Sequence, residues 1–133
     1  MPSVFDKLNI KDHRDILVLN APSSFEKEIA ALRDIRVQRR LSEMKSPQFV
    51  LAFVQQRVEL NRLAKALLKR ASGDIVLWFA YPKGTSKKHS CDFNRDDGWD
   101  LLRESGFDSV RQVAIDADWS ALRFRRKEFI SKR

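Results

Sequence analysis

The chain of 133 residues is short of the residue types that most sites are built from. Cys91 is its single cysteine, so no internal disulfide can form, and a reducing compartment is the expected setting. There are two histidines, His13 and His89, and neither has a cysteine or an acidic pair at metal-ligand spacing; no metal site is expected. Cys91 has His89 nearby but no recognisable orienting group, so nucleophilic catalysis is not expected from it. No Ser-His-Asp order or glycine elbow is present. The chain has only four glycines, and none lies in the turn after its first apolar run. No apolar run approaches the ~20 residues that span a bilayer, which excludes a membrane helix. The start, Met-Pro-Ser-Val-Phe-Asp-Lys, has neither the basic opening nor the apolar core of a signal peptide, so a cytoplasmic location is expected.

What the chain does have is charge and buried strands. Lysine and arginine number 26 against 18 acidic residues, giving a net charge of +8 and a pI near 10.0. Residues 1–72 hold 14 basic and 8 acidic side chains, so most of the excess lies there. Arg36, Arg39 and Arg40 form one cluster, and Arg123, Arg125, Arg126 and Lys127 another. A pI above ~9 admits nucleic-acid binding, although a solvated basic surface has the same composition. No helix-turn-helix, zinc-finger or RNA-recognition signature accompanies it.

Residues 15–20 (DILVLN), 49–54 (FVLAFV) and 74–81 (DIVLWFAY) are apolar runs of strand length. Continuous runs of this kind mark strands buried on both faces, as in a helix-covered parallel sheet. Residues 35–39 read as a weaker strand, with no sequence indication of how it joins the sheet. A helix capped by Ser23 or Ser24 is expected to run to about Leu32. A second is expected over 56–71, with Leu60, Leu63, Ala64 and Leu67 on one face. A third is expected to start at Asn94 and end at Gly106. Residues 109–115 and 119–125 are joined by only three residues, which demands an antiparallel hairpin. Leu8 and Ile10 should tuck under the sheet. The expected fold is a single α/β domain over residues 1–133: a mostly parallel Rossmann-like sheet, helices on its faces and a C-terminal hairpin. Its core should cover about 5–126, followed by a short basic tail over 127–133. Pairing between chains along the terminal antiparallel edge is conceivable, with Arg123 and Arg125 as the charges that would oppose it.

The stretch over 74–88 carries the strongest functional signal. Its strand stops at Pro82 and opens into a loop with three lysines, a glycine and two hydroxyls. In open parallel sheets ligands bind beyond the carboxyl ends of the strands. Backbone amides around Gly84 can form an anion-binding concavity. Thr85 and Ser86 offer hydroxyl donors, and Lys83 or Lys88 offers charge. The spacing is not that of a Walker loop. Asn20, Ser23, Gln55 and Gln56 should share this rim, and Trp119 is placed either to stack on a ligand or to pack. Asp92, Asp96 and Asp97 read as charges at a helix N-terminus.

The segments DILVLNAPSSF, DIVLWFAYPKGTSKK, GWDLLRESGF and VRQVAIDADWSALRFR together resemble a bacterial family of unknown function. Its members are small, cut-down relatives of S-adenosylmethionine-dependent methyltransferases. The resemblance covers about residues 5–126 and implies a methyltransferase-like fold and a bacterial, cytoplasmic setting. It implies no activity or catalytic residues. A nucleotide cofactor in such a fold needs a glycine-rich first turn. Here that turn reads Asn20-Ala21-Pro22-Ser23-Ser24, and Gln38-Arg39-Arg40 stands where an acidic residue would hold ribose hydroxyls. No cofactor is therefore expected. The leading expectation is a non-enzymatic binding domain for an anionic small molecule or an acidic protein partner. The alternatives are a divergent methyltransferase or a nucleic-acid-binding protein.

Overall fold

The computed structural model describes residues 4–10, 12–86, 90–93 and 98–130. Six strands form one sheet: β1 (Asp15–Leu19), β2 (Arg36–Gln38), β3 (Phe49–Phe53), β4 (Val76–Pro82), β5 (Phe107–Ala114) and β6 (Trp119–Arg126). The order across the sheet is β2-β1-β3-β4-β6-β5. The first four strands run parallel, and β6 is antiparallel to both β4 and β5. The mostly parallel sheet with a terminal hairpin is thus present. So is the cause read from the sequence: every residue of β3 and β4 is buried.

Among the described residues, four helices flank the sheet: α1 (Val4–Lys7), α2 (Glu26–Ala30), α3 (Arg57–Leu68) and α4 (Asp100–Glu104). On one face, Leu60, Ala64 and Leu67 of α3 and Leu102 of α4 cover Leu17, Val50, Leu77, Phe79 and Phe124. On the other, Phe5 and Leu8 near the start, with Phe25 and Ile29, cover Ile16, Phe49, Leu51, Phe53 and Trp78. Leu8 and Ile10 do lie under the sheet, as their spacing implies. No helix among the described residues is long and apolar enough to cross a membrane.

Several boundaries differ from the expectation. The helix after β1 is broken into a 3-10 turn, Ser23–Phe25, and the short α2, and no serine side chain caps it. Pro22 takes the cap position in extended backbone, so its fixed φ sets the entry instead of a hydroxyl. The weak strand β2 pairs parallel to β1 at the sheet edge. The return from β2 to β3 crosses β1 with only a 3-10 turn, Leu41–Glu43; Leu41 and Met44 pack on the α3 face. The last helix is shorter than expected, and its anticipated start at Asn94 lies outside the described residues. Trp99 and Leu102 both point inward, as expected. The edge of the terminal hairpin is β5, while β6 is internal. Arg123 and Arg125 therefore do not guard an edge: Arg125 makes a two-point ion pair with Asp74.

Candidate functional site

β4 delivers Tyr81 and Pro82 to the carboxyl end of the sheet, and the lysine turn follows. The Ser86 amide donates to the Lys83 carbonyl at 3.0 Å, closing a four-residue turn over 83–86. This turn is fastened to the β5–β6 hairpin. The Lys83 amide donates to the Asp118 carbonyl at 2.8 Å, and the Ser86 hydroxyl donates to the Asp118 carboxylate at 2.9 Å. The hairpin is tightened by the Asp116 carboxylate, which accepts from the amides of Asp118 and Trp119.

Between these loops opens a cavity of about 550 Å³. β4 and its turn contribute Tyr81, Pro82, Lys83, Gly84 and Ser86. The following segment contributes Ser90, Cys91 and Phe93, and the hairpin contributes Gln112 and Ser120. Its polar floor is ordered: the Gln112 amide donates to the Tyr81 and Ser120 hydroxyl oxygens, both at 3.1 Å. Its apolar support is an aromatic group in which Phe93 meets Trp99 edge-on at 5.3 Å and Tyr81 at 5.9 Å. Among the described residues that line it, Lys83 is the one cation. Burial pushes the Cys91 thiol up from its ordinary value, which favours the neutral thiol over the thiolate. A smaller hollow of about 240 Å³, lined by Gln55, Gln56 and Asp92, adjoins it and shares Ser90 and Cys91. Asp92 serves α3 rather than its own helix: its carboxylate accepts from the Arg57 amide at 2.6 Å. Asp96 and Asp97 lie outside the described residues. Among the described residues no group of three or more His, Cys, Asp or Glu side chains is placed to hold a metal.

The sequence expectation divides at this point. Lys83, Gly84 and Ser86 line the cavity, while Thr85 is exposed on the turn without lining it. Gly84 has no left-handed φ, so the expected nest is not built on that residue. Lys88 lies outside the described residues. Asn20 and Ser23 do not reach the cavity; they stand beyond β1, with β3 between that strand and β4. Trp119 is buried on the opposite face, edge-on to Phe53 at 5.1 Å. Strand alternation gives the cavity face to Ser120 and the other to Trp119. Nothing in the sequence marks Tyr81, Phe93, Gln112 and Ser120 as a group, because the hairpin register that gathers them has no sequence signature.

The strand order reverses beside β1, so the crevice between β1 and β3 is the topological switch point. It is bridged by the chain itself. Asn20 adopts φ 57°, and its amide donates to the Phe53 carbonyl and the Glu59 carboxylate, each at 3.4 Å. The other Glu59 oxygen accepts from the Gln55 amide at 3.0 Å. Beyond β2, Arg39 grips Glu26 through two hydrogen bonds of 2.8 and 2.9 Å. That hydrogen bonding holds the Glu26 carboxyl below its usual range.

Comparison with solved structures places this architecture. An S-adenosylmethionine-dependent methyltransferase from Aquifex aeolicus superposes with a TM-score of 0.62 at 13% identity, covering 92% of this chain and 87% of that one. A putative type 11 methyltransferase from Sulfolobus solfataricus gives 0.55 at 9% identity, covering 90% and 88%. A fibrillarin pre-rRNA processing protein from Methanococcus jannaschii gives 0.56 at 12% identity, covering 89% and 68%. The fold is that of the S-adenosylmethionine-dependent methyltransferases. No protein-family model matches the chain. No curated protein matches it either. Within that fold, the crevice does not fit the nucleotide cofactor in the usual way. The first turn has proline and Asn20 where backbone must come close, and an arginine already paired to Glu26 stands beyond β2.

Proposed function

We propose that this is a divergent methyltransferase-fold protein that takes a small anionic molecule in the cavity at the carboxyl end of β4, beside the β5–β6 hairpin. The observation that carries the reading is the cavity itself. It opens at the strand carboxyl ends, with Lys83 at its rim, an ordered set of hydroxyl and amide groups on its floor, and an aromatic base. Such a site suits a ligand with a flat or apolar body and a phosphate or carboxylate group. Differential scanning fluorimetry against phosphorylated and carboxylated metabolites tests it. At least one should raise the wild-type melting temperature, and Lys83→Ala should reduce that shift. A screen with no stabilising anion would overturn the reading.

The likeness in fold supports a methyltransferase better than binding alone, while the bridged crevice beside β1 keeps methyl transfer to the bound molecule as the second reading. S-adenosylmethionine would supply the methyl group. Its cradle would have to differ from a glycine turn, since Asn20 and Glu59 bridge the usual crevice. Calorimetry with S-adenosylmethionine and S-adenosylhomocysteine decides this: measurable binding of either establishes the enzyme reading, and no heat at millimolar concentration removes it.

A further inference from the structure

The face of the sheet opposite the cavity carries a cluster of charge that the cavity does not use. On β6, Arg123 stands level with Trp78 of β4 on one side and with Arg111 of β5 on the other. Like charges directly opposite each other across two strands destabilise a sheet. The register that creates this pair is not regular. It shifts between Ser109 and Arg111, leaving Val110 as an exposed extra residue and bringing Arg111 opposite Arg123. Bulges of this kind re-aim side chains.

The carboxylates on that face offset the pair only in part, Asp74 attracting Arg123 without bonding to it. Asp74 is held by Arg125 at 2.6 and 2.8 Å, and Asp108 accepts from the Ser109 amide. Among the described residues, Arg111 and Arg123 make no ion pair, and the buried Nε of Arg123 has no hydrogen-bond acceptor. Burial, with the neighbouring Arg125 and Arg111, lowers the Arg123 pKa against the pull of Asp74, yet a guanidinium does not give up its proton near neutrality. Arg123 is only half-buried and Arg111 is exposed, so both guanidinium groups remain open to an acceptor from outside.

We infer that Arg111 and Arg123 form a clamp for a phosphate group on the outer face of the β5–β6 hairpin. Two guanidinium forks provide the donors and the charge that a tetrahedral oxyanion takes. The phosphate could belong to a free phosphorylated compound or to a nucleic-acid backbone, and both sources present the same chemistry.

Pyrophosphate binding is measured by calorimetry at constant ionic strength on the wild type, Arg111→Gln, Arg123→Met and Lys83→Ala. Arg111 is exposed on the edge strand, so its replacement leaves the fold intact. Both arginine variants should weaken binding at least tenfold, and by more than Lys83→Ala does. A 16-nucleotide single strand, tested by gel retention, separates the sources. Retention that Arg111→Gln abolishes assigns the clamp to nucleic acid; pyrophosphate binding without retention assigns it to free phosphate compounds. The inference is overturned if the wild type binds neither probe, or if Arg111→Gln binds both as the wild type does. It is also overturned if Lys83→Ala alone abolishes binding, which would return the anion to the cavity.

Discussion

The indole of Trp78 is fully buried, and its Nε1–H donates to the Leu8 carbonyl at 2.8 Å. One side chain thereby ties the lead-in segment to the central strand. Phenylalanine would keep most of the apolar contact but leave that carbonyl without its donor. An unsatisfied buried acceptor and a partial cavity together cost about 2 kcal/mol. Trp78→Phe should therefore lower the melting temperature by about 6–10 °C. A loss under 1 °C would show that the hydrogen bond contributes nothing. Trp119, the other tryptophan of this face, illustrates the limit of sequence reading at this scale. Its place beside a hairpin fits stacking on a ligand as well as packing. Only the register, with Ser120 opposite Tyr81, decides which of the two neighbours faces the cavity.

Among the elements, the connection from β4 to α4 shapes the cavity wall, and its two glycines differ in role. Gly98 has φ +102°, and a Cβ there would come within 2.9 Å of the Phe93 side chain. Gly84 has no such φ and open space around it. Gly98→Ala should destabilise by about 2–3 kcal/mol through strain and the displacement of Phe93. Gly84→Ala should stay within about 0.5 kcal/mol of wild type. Urea unfolding measures both; equal effects would contradict the assignment. The same contrast governs what was legible in the chain. β1, β3 and β4 stand out because burial on both faces forces continuous apolar runs. β2 is blurred because an edge strand of three residues, none fully buried, needs no such run. The lysine turn was readable because Pro82 ends an apolar strand. Gln112 and Ser120 were not, since they reach the cavity only through a long-range antiparallel pairing. Strand direction alone puts Asn20 and Ser23 on the same rim, but strand order sets the distance between rims.

For the molecule as a whole, two arginine–carboxylate pairs fasten peripheral segments, and both make stability depend on pH in the same direction. Arg125 hydrogen-bonds Asp74 just before β4, and Arg39 hydrogen-bonds Glu26 of α2; each lowers the carboxyl pKa. A carboxylate with a lower pKa in the folded state contributes its stabilisation above its unfolded value, about 4. That contribution disappears as pH falls through the folded value. Acid also leaves the chain's positive charges with fewer compensating carboxylates, so self-repulsion acts in the same sense. The Asp74 pair is about one-third exposed, and solvent screening limits it to about 0.5–1 kcal/mol. Asp74→Asn should lose that amount at pH 7 and show a shallower decline as pH falls below about 4. Arg125→Met should cost less, because it also removes a positive neighbour of Arg123. Urea midpoints of the three proteins at pH 7 and pH 3 check the order. If Arg125→Met costs as much as Asp74→Asn at pH 7, the crowding of arginines on this face carries no energetic penalty.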